Sequence, residues 1–210
     1  MVEKELSSKT LVSRRTFLAG LAAASFLRLP LPSAEALPQF EPFSFIFVSD
    51  VHLVNGLPDN GEKMLQESQL FLQEAIKHFN ALKPDFVIFG GDQVEQVGKD
   101  DSNWMLFGDI VQQLQPPWSF VLGEEDVSGN VPPDKMRTFG SDWRARGIES
   151  NQPYWSLNPV AGVHLIGLDT SVPNNNGGEI SAAQLAWLKE DLAQNKGKLT
   201  IVFAHHPLLP

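Results

Sequence analysis

The sequence has 210 residues, enough for one domain with a sizeable core, and its 42% hydrophobic and 20% charged content is typical of a globular protein. Its formal charge of −9 argues against nucleic acid or an anionic membrane as a partner, because a surface that tracks phosphates must be basic. The chain has no Cys, which excludes disulfides, thiolate nucleophiles and Cys-based metal centres and leaves Asp, Glu, His and Asn as metal ligands.

The first segment has the pattern of an export signal. Two arginines at 14–15 form a twin-arginine motif, an apolar stretch follows at 17–27, and the small-residue sequence at 34–36 is typical of a cleavage site. The apolar stretch is shorter than the about 18 residues of a membrane span, so no stable span is expected. We predict a twin-arginine signal peptide over 1–36, export by the twin-arginine machinery to a periplasm, lumen or the exterior, and a folded domain over 37–210. An uncleaved anchor is the alternative.

Strand-like and helix-like segments alternate after this leader, which is typical of an α/β fold. Strands are predicted at 43–49, 85–89, 118–122, 154–157, 163–168 and 200–204. Helices are predicted at 62–82, 104–114 and 132–146, and a last helix is predicted after a capping box of Ser181 and Gln184. We expect the first strand to be buried on both faces, and the last helix to turn Leu185, Leu188 and Leu192 inward.

Polar side chains follow four of the predicted strands, and the ends of such strands meet at one edge of an open α/β sheet. These residues are Asp50, His52, Asp92, Glu124, Glu125, His205 and His206. Mixed carboxylate and imidazole ligands suit Mn, Fe or Zn, and a carboxylate such as Asp92 can bridge two ions about 3.5 to 4 Å apart. Two such ions bind a phosphate ester, lower the pKa of a bridging water and neutralise charge in the in-line transition state.

The order of these blocks resembles that of the calcineurin-like metallophosphoesterases, in the branch that includes purple acid phosphatases and cyclic-nucleotide phosphodiesterases. Asp50-Val51-His52, Gly91-Asp92 and His205 in FAHHP match three of that family's blocks, and LIGLDTS and QLAWL resemble its flanking sequence, over about residues 43 to 210. The resemblance implies an α/β sandwich of α/β/β/α type. It further implies that Asp50, His52 and Asp92 hold a first metal, that Asp92 bridges, and that His205 holds a second metal.

Two departures from the family pattern bear on activity. Its third block, Gly-Asn-His-Asp/Glu, here reads Gly123-Glu124-Glu125-Asp126, so that Glu124 stands at the Asn ligand and Glu125 at the catalytic His. Glu124 can still bind a metal, whereas Glu125 can act as a catalytic acid only when protonated, because an ionised carboxylate repels phosphate oxygens. The sequence also stops before any Gly-His-x-His block, which we interpret as C-terminal truncation or completion by another chain.

The resemblance therefore implies a hydrolase of phosphate mono- or diesters that uses two divalent or Fe/Mn-type ions and a metal-bound hydroxide, with His206 as a further neighbour of the substrate. The alternative is a catalytically impaired relative that binds metal or phosphate, or a truncated fragment. Some of the polar residues also have a simpler, structural interpretation. The run Glu124 to Asp126 can be a solvated turn, and His164, within a predicted strand, is more typical of a structural histidine.

Overall fold

The structure is a computed structural model that describes residues 39–95, 102–128 and 152–207. The predicted signal over 1–36 and the predicted helix over 132–146 lie outside the described residues. The described strands are β1 (Phe45–Val48), β2 (Phe86–Phe89), β3 (Trp118–Phe120), β4 (Trp155–Leu157), β5 (Val163–Gly167) and β6 (Leu199–Phe203). The described helices are α1 (Ser68–Leu82), α2 (Ser102–Val111), the single turn α3 (Glu124–Val127) and α4 (Ala182–Gln194).

The strands form two three-stranded sheets, which follow the order β1-β2-β3 and β4-β5-β6. All strands of the first sheet are parallel, with Phe45 opposite Phe86 and Val87 opposite Trp118. In the second sheet β4 runs antiparallel to β5, and β5 runs parallel to β6. Parallel strands need crossover connections, and α1 and α2 supply them in the first sheet. This mixed arrangement confirms the predicted α/β fold class.

The central strand of the first sheet, β2, is buried on both faces. On one face, Val87 and Phe89 belong to a buried cluster with Leu72 and Ile76 of α1 and with Phe107 of α2. On the other face, Phe86 and Ile88 belong to a cluster with the second sheet, which contributes Trp155, Val163, Leu165 and Phe203. Burying a side chain of this size contributes about 1.5 to 3 kcal/mol, so these two clusters fix the sheets relative to each other and to the helices.

Strand β1 corrects the prediction that this segment is buried on both faces. Phe45 and Phe47 are 37% and 49% exposed, because β1 pairs only with β2 among the described residues and one of its faces is incompletely covered. Helix α1 begins at Ser68, later than the predicted 62, and the Ser68 hydroxyl donates to the carbonyl of Leu65 at 2.8 Å. A hydroxyl that bonds locally to the backbone favours a helix start over the helix interior.

Helix α4 corrects a second prediction. Leu185 and Leu192 are 51% and 40% exposed, whereas Gln184 is 2% exposed. The Gln184 amide accepts from the N–H of Asp169 at 2.9 Å and donates to its carbonyl at 2.7 Å, so a polar contact anchors this helix. The side chain of Ser181 accepts from the N–H of Gln184 as its N-cap. Within the described ranges, no helix has the length and apolar character needed to cross a membrane.

Candidate metal centre

The segments that follow β1 and β2 run side by side and place the first candidate ligands. The N–H of Asp50 donates to the carbonyl of Gly91 at 3.0 Å, and the N–H of His52 donates to the carbonyl of Asp92 at 2.9 Å. A parallel bridge between Leu53 and Val94 continues this pairing beyond the ends of the strands. Backbone bonds of this kind fix the two segments in register and bring Asp50, His52 and Asp92 to the same edge of the sheet.

Three candidate ligands have an uncommon backbone conformation. Asp50, His52 and Asp92 adopt left-handed φ angles of 58°, 44° and 52°. Each such angle costs of order 1 kcal/mol in a residue other than glycine, less in Asp than in bulkier residues, and such residues concentrate at functional sites.

Two glycines leave space for the ligands. A Cβ atom at Gly123 would collide with the carboxylate and the backbone nitrogen of Asp92, and a Cβ atom at Gly91 would collide with the imidazole of His205. Gly91 also has a φ angle of 103°, which side chains rarely allow. The sequences Gly-Asp and Gly-Glu-Glu-Asp therefore use glycine so that a ligand from another segment can approach the backbone.

The carboxylate of Asp92 lies between two imidazoles. Its Oδ2 atom is 3.7 Å from Nε2 of His52 and 3.7 Å from Nε2 of His205. Asp50, Asp92 and His205 each offer a ligand atom, and these atoms lie within 4.8 Å of one another. Asp92 is 3% exposed, whereas the side chain of Asp50 is 59% exposed. A buried carboxylate with an imidazole on each side is the arrangement expected of a bridging ligand.

The second half of the site joins Glu124 to the two histidines that follow β6. Oε2 of Glu124 lies 2.9 Å from Nε2 of His205 and 3.3 Å from Nε2 of His206. Neither contact has hydrogen-bond geometry, so Oε2 of Glu124 and Nε2 of His206 are buried without a hydrogen-bond partner among the described residues. His206 is fixed from its other side by Thr170, whose hydroxyl lies 2.8 Å from Nδ1.

This donor set fits metal ions. Nδ1 of His205 donates to the carbonyl of Gly90 at 2.9 Å, so in a neutral imidazole the lone pair of Nε2 faces the carboxylates of Asp92 and Glu124. Lone pairs that face one another repel, and a bound cation relieves that repulsion. Asp50, Asp92 and His205 are the residues whose ligand atoms lie close enough together to hold an ion, and His52 and Glu124 lie beside them.

Two site neighbours escaped the sequence analysis. Oε2 of Glu95 lies 2.9 Å from Nδ1 of His52 without hydrogen-bond geometry, and Nε2 of the same imidazole lies 3.7 Å from Oδ2 of Asp92. Lys63 lies ahead of α1, and its Nζ donates to Glu95 at 2.8 Å and to Glu125 at 3.1 Å. Glu95 follows Asp92 by three residues, which offered a weak signal. Lys63 stands in a polar loop that no motif marks.

Burial and local charge shift several pKa values at the centre. Burial raises the pKa of Asp92 above its ordinary value, although the N–H of Glu125, which donates to its Oδ1 at 2.9 Å, opposes this. Burial is the largest influence on His52 and lowers its pKa, but the carboxylates of Glu95 and Asp92 together outweigh burial and the net shift of the pKa is upward. For Glu95, burial acts to raise the pKa, and the contacts with His52 and Lys63 outweigh it and lower the pKa.

Asp126 fixes the third block through two backbone contacts. This residue is fully buried, and its carboxylate accepts from the N–H of Val94 at 3.1 Å and from the N–H of Gly123 at 2.9 Å. Burial raises its pKa well above the ordinary value of Asp. The contacts tie the turn that contains Glu124 and Glu125 to the segment that contains Asp92. Asp126 is therefore a structural member of the block.

The α/β fold and the carboxylate–imidazole centre are typical of a metal-dependent enzyme, and comparison with known proteins agrees with this class. The family model described as calcineurin-like phosphoesterase matches residues 43–209. The chain belongs to the calcineurin-like phosphoesterase family.

Two curated relatives have sequences similar to this chain. The chain is 31% identical over 173 residues to a cAMP/cGMP dual specificity phosphodiesterase from Mycobacterium tuberculosis, with 80% of this chain and 51% of the relative covered. It is 30% identical over 138 residues to a probable glycerophosphodiester phosphodiesterase from Arcobacter nitrofigilis, with 65% and 47% covered. The chain thus spans about half the length of the curated relatives it matches.

A solved structure also has a similar fold. The crystal structure of a dimetal phosphatase from Danio rerio matches with a TM-score of 0.63 at 14% identity, over 80% of this chain and 71% of that chain. At this identity the likeness concerns the fold.

Proposed function

We propose that the protein is a metal-dependent hydrolase of phosphate esters that uses a two-metal site at the ends of β1, β2, β3 and β6. The observation that carries the proposal is the position of the Asp92 carboxylate, 3.7 Å from Nε2 of both His52 and His205 and close to the carboxylate of Asp50. When bound, a pair of Mn, Fe or Zn ions supplies Lewis acidity toward phosphoryl oxygens and activates water as a nucleophile.

The chain's own residues position and tune this chemistry. Asp92 is shared between the two halves of the site, and the N–H of Glu125 holds its Oδ1 at 2.9 Å. The Glu95 carboxylate lies beside Nδ1 of His52, and the carbonyl of Gly90 accepts from Nδ1 of His205. Such partners raise the basicity of an imidazole ligand and fix its tautomer. His206 lies beside the second half of the site, where its Nε2 faces Glu124.

Phosphate diesters are the substrate class that we propose first. Both curated relatives described above are named as phosphodiesterases, one for cyclic nucleotides and one for glycerophosphodiesters. A diester carries one negative charge, fewer than a monoester, which suits a centre that already contains several carboxylates.

Hydrolysis of bis(p-nitrophenyl) phosphate and of p-nitrophenyl phosphate with added Mn²⁺ or Fe²⁺ tests the proposal. We expect turnover above a metal-only control and a faster reaction with the diester. The matched variant is Asp92→Asn, which keeps the size of the side chain but removes its charge, and we expect it to lose the activity. Wild-type turnover no faster than the metal-only control would refute the proposal.

A catalytically impaired relative is the second candidate, because Glu124 and Glu125 stand in the third block. The side chain of Glu125 points to Lys63, and an ionised carboxylate does not donate a proton to a leaving group. The double change of Glu124→Asn and Glu125→His distinguishes the two candidates: a rate that rises from near zero favours the impaired relative. A flat rate would show that the third block is wrongly assigned.

We also propose export by the twin-arginine route, on the strength of the arginine pair and the apolar stretch within residues 1–36. Fractionation of cells that produce the wild-type chain and an Arg14→Lys, Arg15→Lys variant tests it. Export of both forms alike would contradict the proposal.

A further inference from the structure

Lys63 joins three segments of the centre through ion pairs. Its Nζ donates to Oε2 of Glu95 at 2.8 Å and to Oε1 of Glu125 at 3.1 Å. Its side chain is 24% exposed, and it lines a cavity of about 480 Å³ together with Asp50 and His52. Among the described residues, Lys63 is the lysine or arginine that forms ion pairs with carboxylates of this centre.

The charge of Glu125 is a problem for any anionic substrate. Five carboxylates surround the centre, and they belong to Asp50, Asp92, Glu95, Glu124 and Glu125. The backbone N–H of Glu125 contacts Asp92, so the Glu125 side chain starts beside the bridging position. An unpaired carboxylate there would repel a phosphate, and its partial burial would strengthen the repulsion.

Both oxygens of the Glu125 carboxylate have partners within the protein. Oε1 of Glu125 meets the ammonium of Lys63, and Oε2 accepts from the hydroxyl of Ser128 at 3.3 Å. The ammonium is fixed in turn by Glu95, which also contacts His52. This linkage differs from the ion pair of Lys77 and Glu74 on α1, whose side chains are 69% and 49% exposed.

We propose that Lys63 is a positioning residue that turns Glu125 away from the substrate and cancels its charge, so that the centre binds an anionic phosphate despite a glutamate at this place. The proposal rests on the proposed function, since it concerns phosphate binding at that same site. It assigns to Lys63 the task of making the third block compatible with a phosphate ester.

Rescue by a second change tests this role. The proteins are the wild type, Lys63→Met, Glu125→Gln, the double variant that combines both changes, and Lys77→Met as an exposed control. Isothermal titration of inorganic phosphate into the Mn²⁺-loaded proteins gives a Kd, and hydrolysis of bis(p-nitrophenyl) phosphate gives KM and kcat separately. We expect Lys63→Met to weaken phosphate about tenfold, which is the size of one charge interaction at a partly buried site.

The rescue distinguishes charge cancellation from a general structural role. In the double variant we expect phosphate affinity within about threefold of the wild type, because the uncancelled carboxylate is gone. Glu125→Gln alone keeps an oxygen for Lys63 and should bind phosphate as tightly as the wild type or about threefold more tightly. This variant decides the question even where Lys63→Met does not fold, since affinity reduced more than about threefold would overturn the proposal. Lys77→Met should leave the Kd unchanged.

The outcomes separate the two proposals. A wild-type protein that neither binds phosphate nor hydrolyses the ester overturns the proposed function, and the role of Lys63 with it. A wild-type protein that does both, beside a Lys63→Met variant with unchanged affinity, overturns the role of Lys63 alone. A double variant that binds phosphate as weakly as Lys63→Met also overturns that role.

Discussion

Replacing Gly123 with alanine tests the packing on which the bridging position of Asp92 depends. The new Cβ atom would overlap the Asp92 carboxylate, its Cγ and its backbone nitrogen. Asp92 is 3% exposed, and its backbone carbonyl accepts from the N–H of His52, so the residue has little room to move. The N–H of Gly123 donates to the Asp126 carboxylate, which holds this segment in place.

The cost can be worked out from these contacts. Overpacking of a buried site costs about 1 to 3 kcal/mol. Displacement of the Asp92 carboxylate also weakens the bond from the N–H of Glu125, and a hydrogen bond to a charged group contributes about 1.5 to 3 kcal/mol. We therefore expect Gly123→Ala to lower the free energy of unfolding of the metal-free protein by about 2.5 to 6 kcal/mol if the hydrogen bond is lost. Affinity for Mn²⁺ should fall by more than about tenfold.

Urea denaturation in the presence of EDTA measures the first quantity, and calorimetric titration with Mn²⁺ measures the second. The matched control is Gly177→Ala, because Gly177 is exposed and a Cβ atom there would contact only the Asn175 side chain, at 3.3 Å. Suppose Gly123→Ala matches the control to within about 0.5 kcal/mol and retains Mn²⁺ affinity. The placement of Asp92 against Gly123 would then be wrong.

Three further predictions concern pH and the partners of the histidines. The raised pKa of His52 means that its stabilising contribution is present below its ordinary pKa and is lost as pH rises through the raised value, so the metal-free protein should be less stable to urea at about pH 8 than at about pH 6. His52→Asn should flatten this difference, and an unchanged slope would contradict it. Glu95→Gln should weaken Mn²⁺ binding about tenfold in calorimetry, as loss of a ligand's partner does, and a change under about twofold would count against that role. Asp191→Asn removes the carboxylate that contacts His164 and Ser156, and it should lower stability by about 1 to 3 kcal/mol in urea while Mn²⁺ affinity stays unchanged.

The order of secondary structure followed from sequence where apolar runs were short and bounded. Pro84 and Pro117 mark the regions ahead of β2 and β3, and every described strand overlaps a predicted segment, with β6 beginning one residue earlier than predicted. Burial of individual faces could not be predicted so well. The sequence of β1 resembles that of β2, and its exposure depends on which strands pair with it. The apolar residues of α4 follow a helical period, yet a polar contact from Gln184 anchors the helix.

The residues of the site could likewise be predicted only in part. Asp50, His52, Asp92, Glu124 and His205 could be singled out because each follows a strand, and strand ends gather at one edge. Lys63 and Glu95 lie in irregular segments whose positions depend on tertiary contacts that no local pattern encodes. The different contacts of Glu124 and Glu125 could not be predicted from sequence either, because adjacent residues in a turn point in different directions. One side chain reaches His205, and the other reaches Lys63.

The left-handed backbone at Asp50, His52 and Asp92 limits which sequences this edge can accept. Glycine would adopt those angles at lower cost than aspartate, histidine or a β-branched residue. Relief of backbone strain should therefore favour glycine at all three positions, at the expense of the ligands. Stability and metal binding thus favour different residues at the same three backbone positions. If one variant library were selected for stability and the same library were selected separately for metal binding, the two selected populations should differ at these positions before they differ in the core.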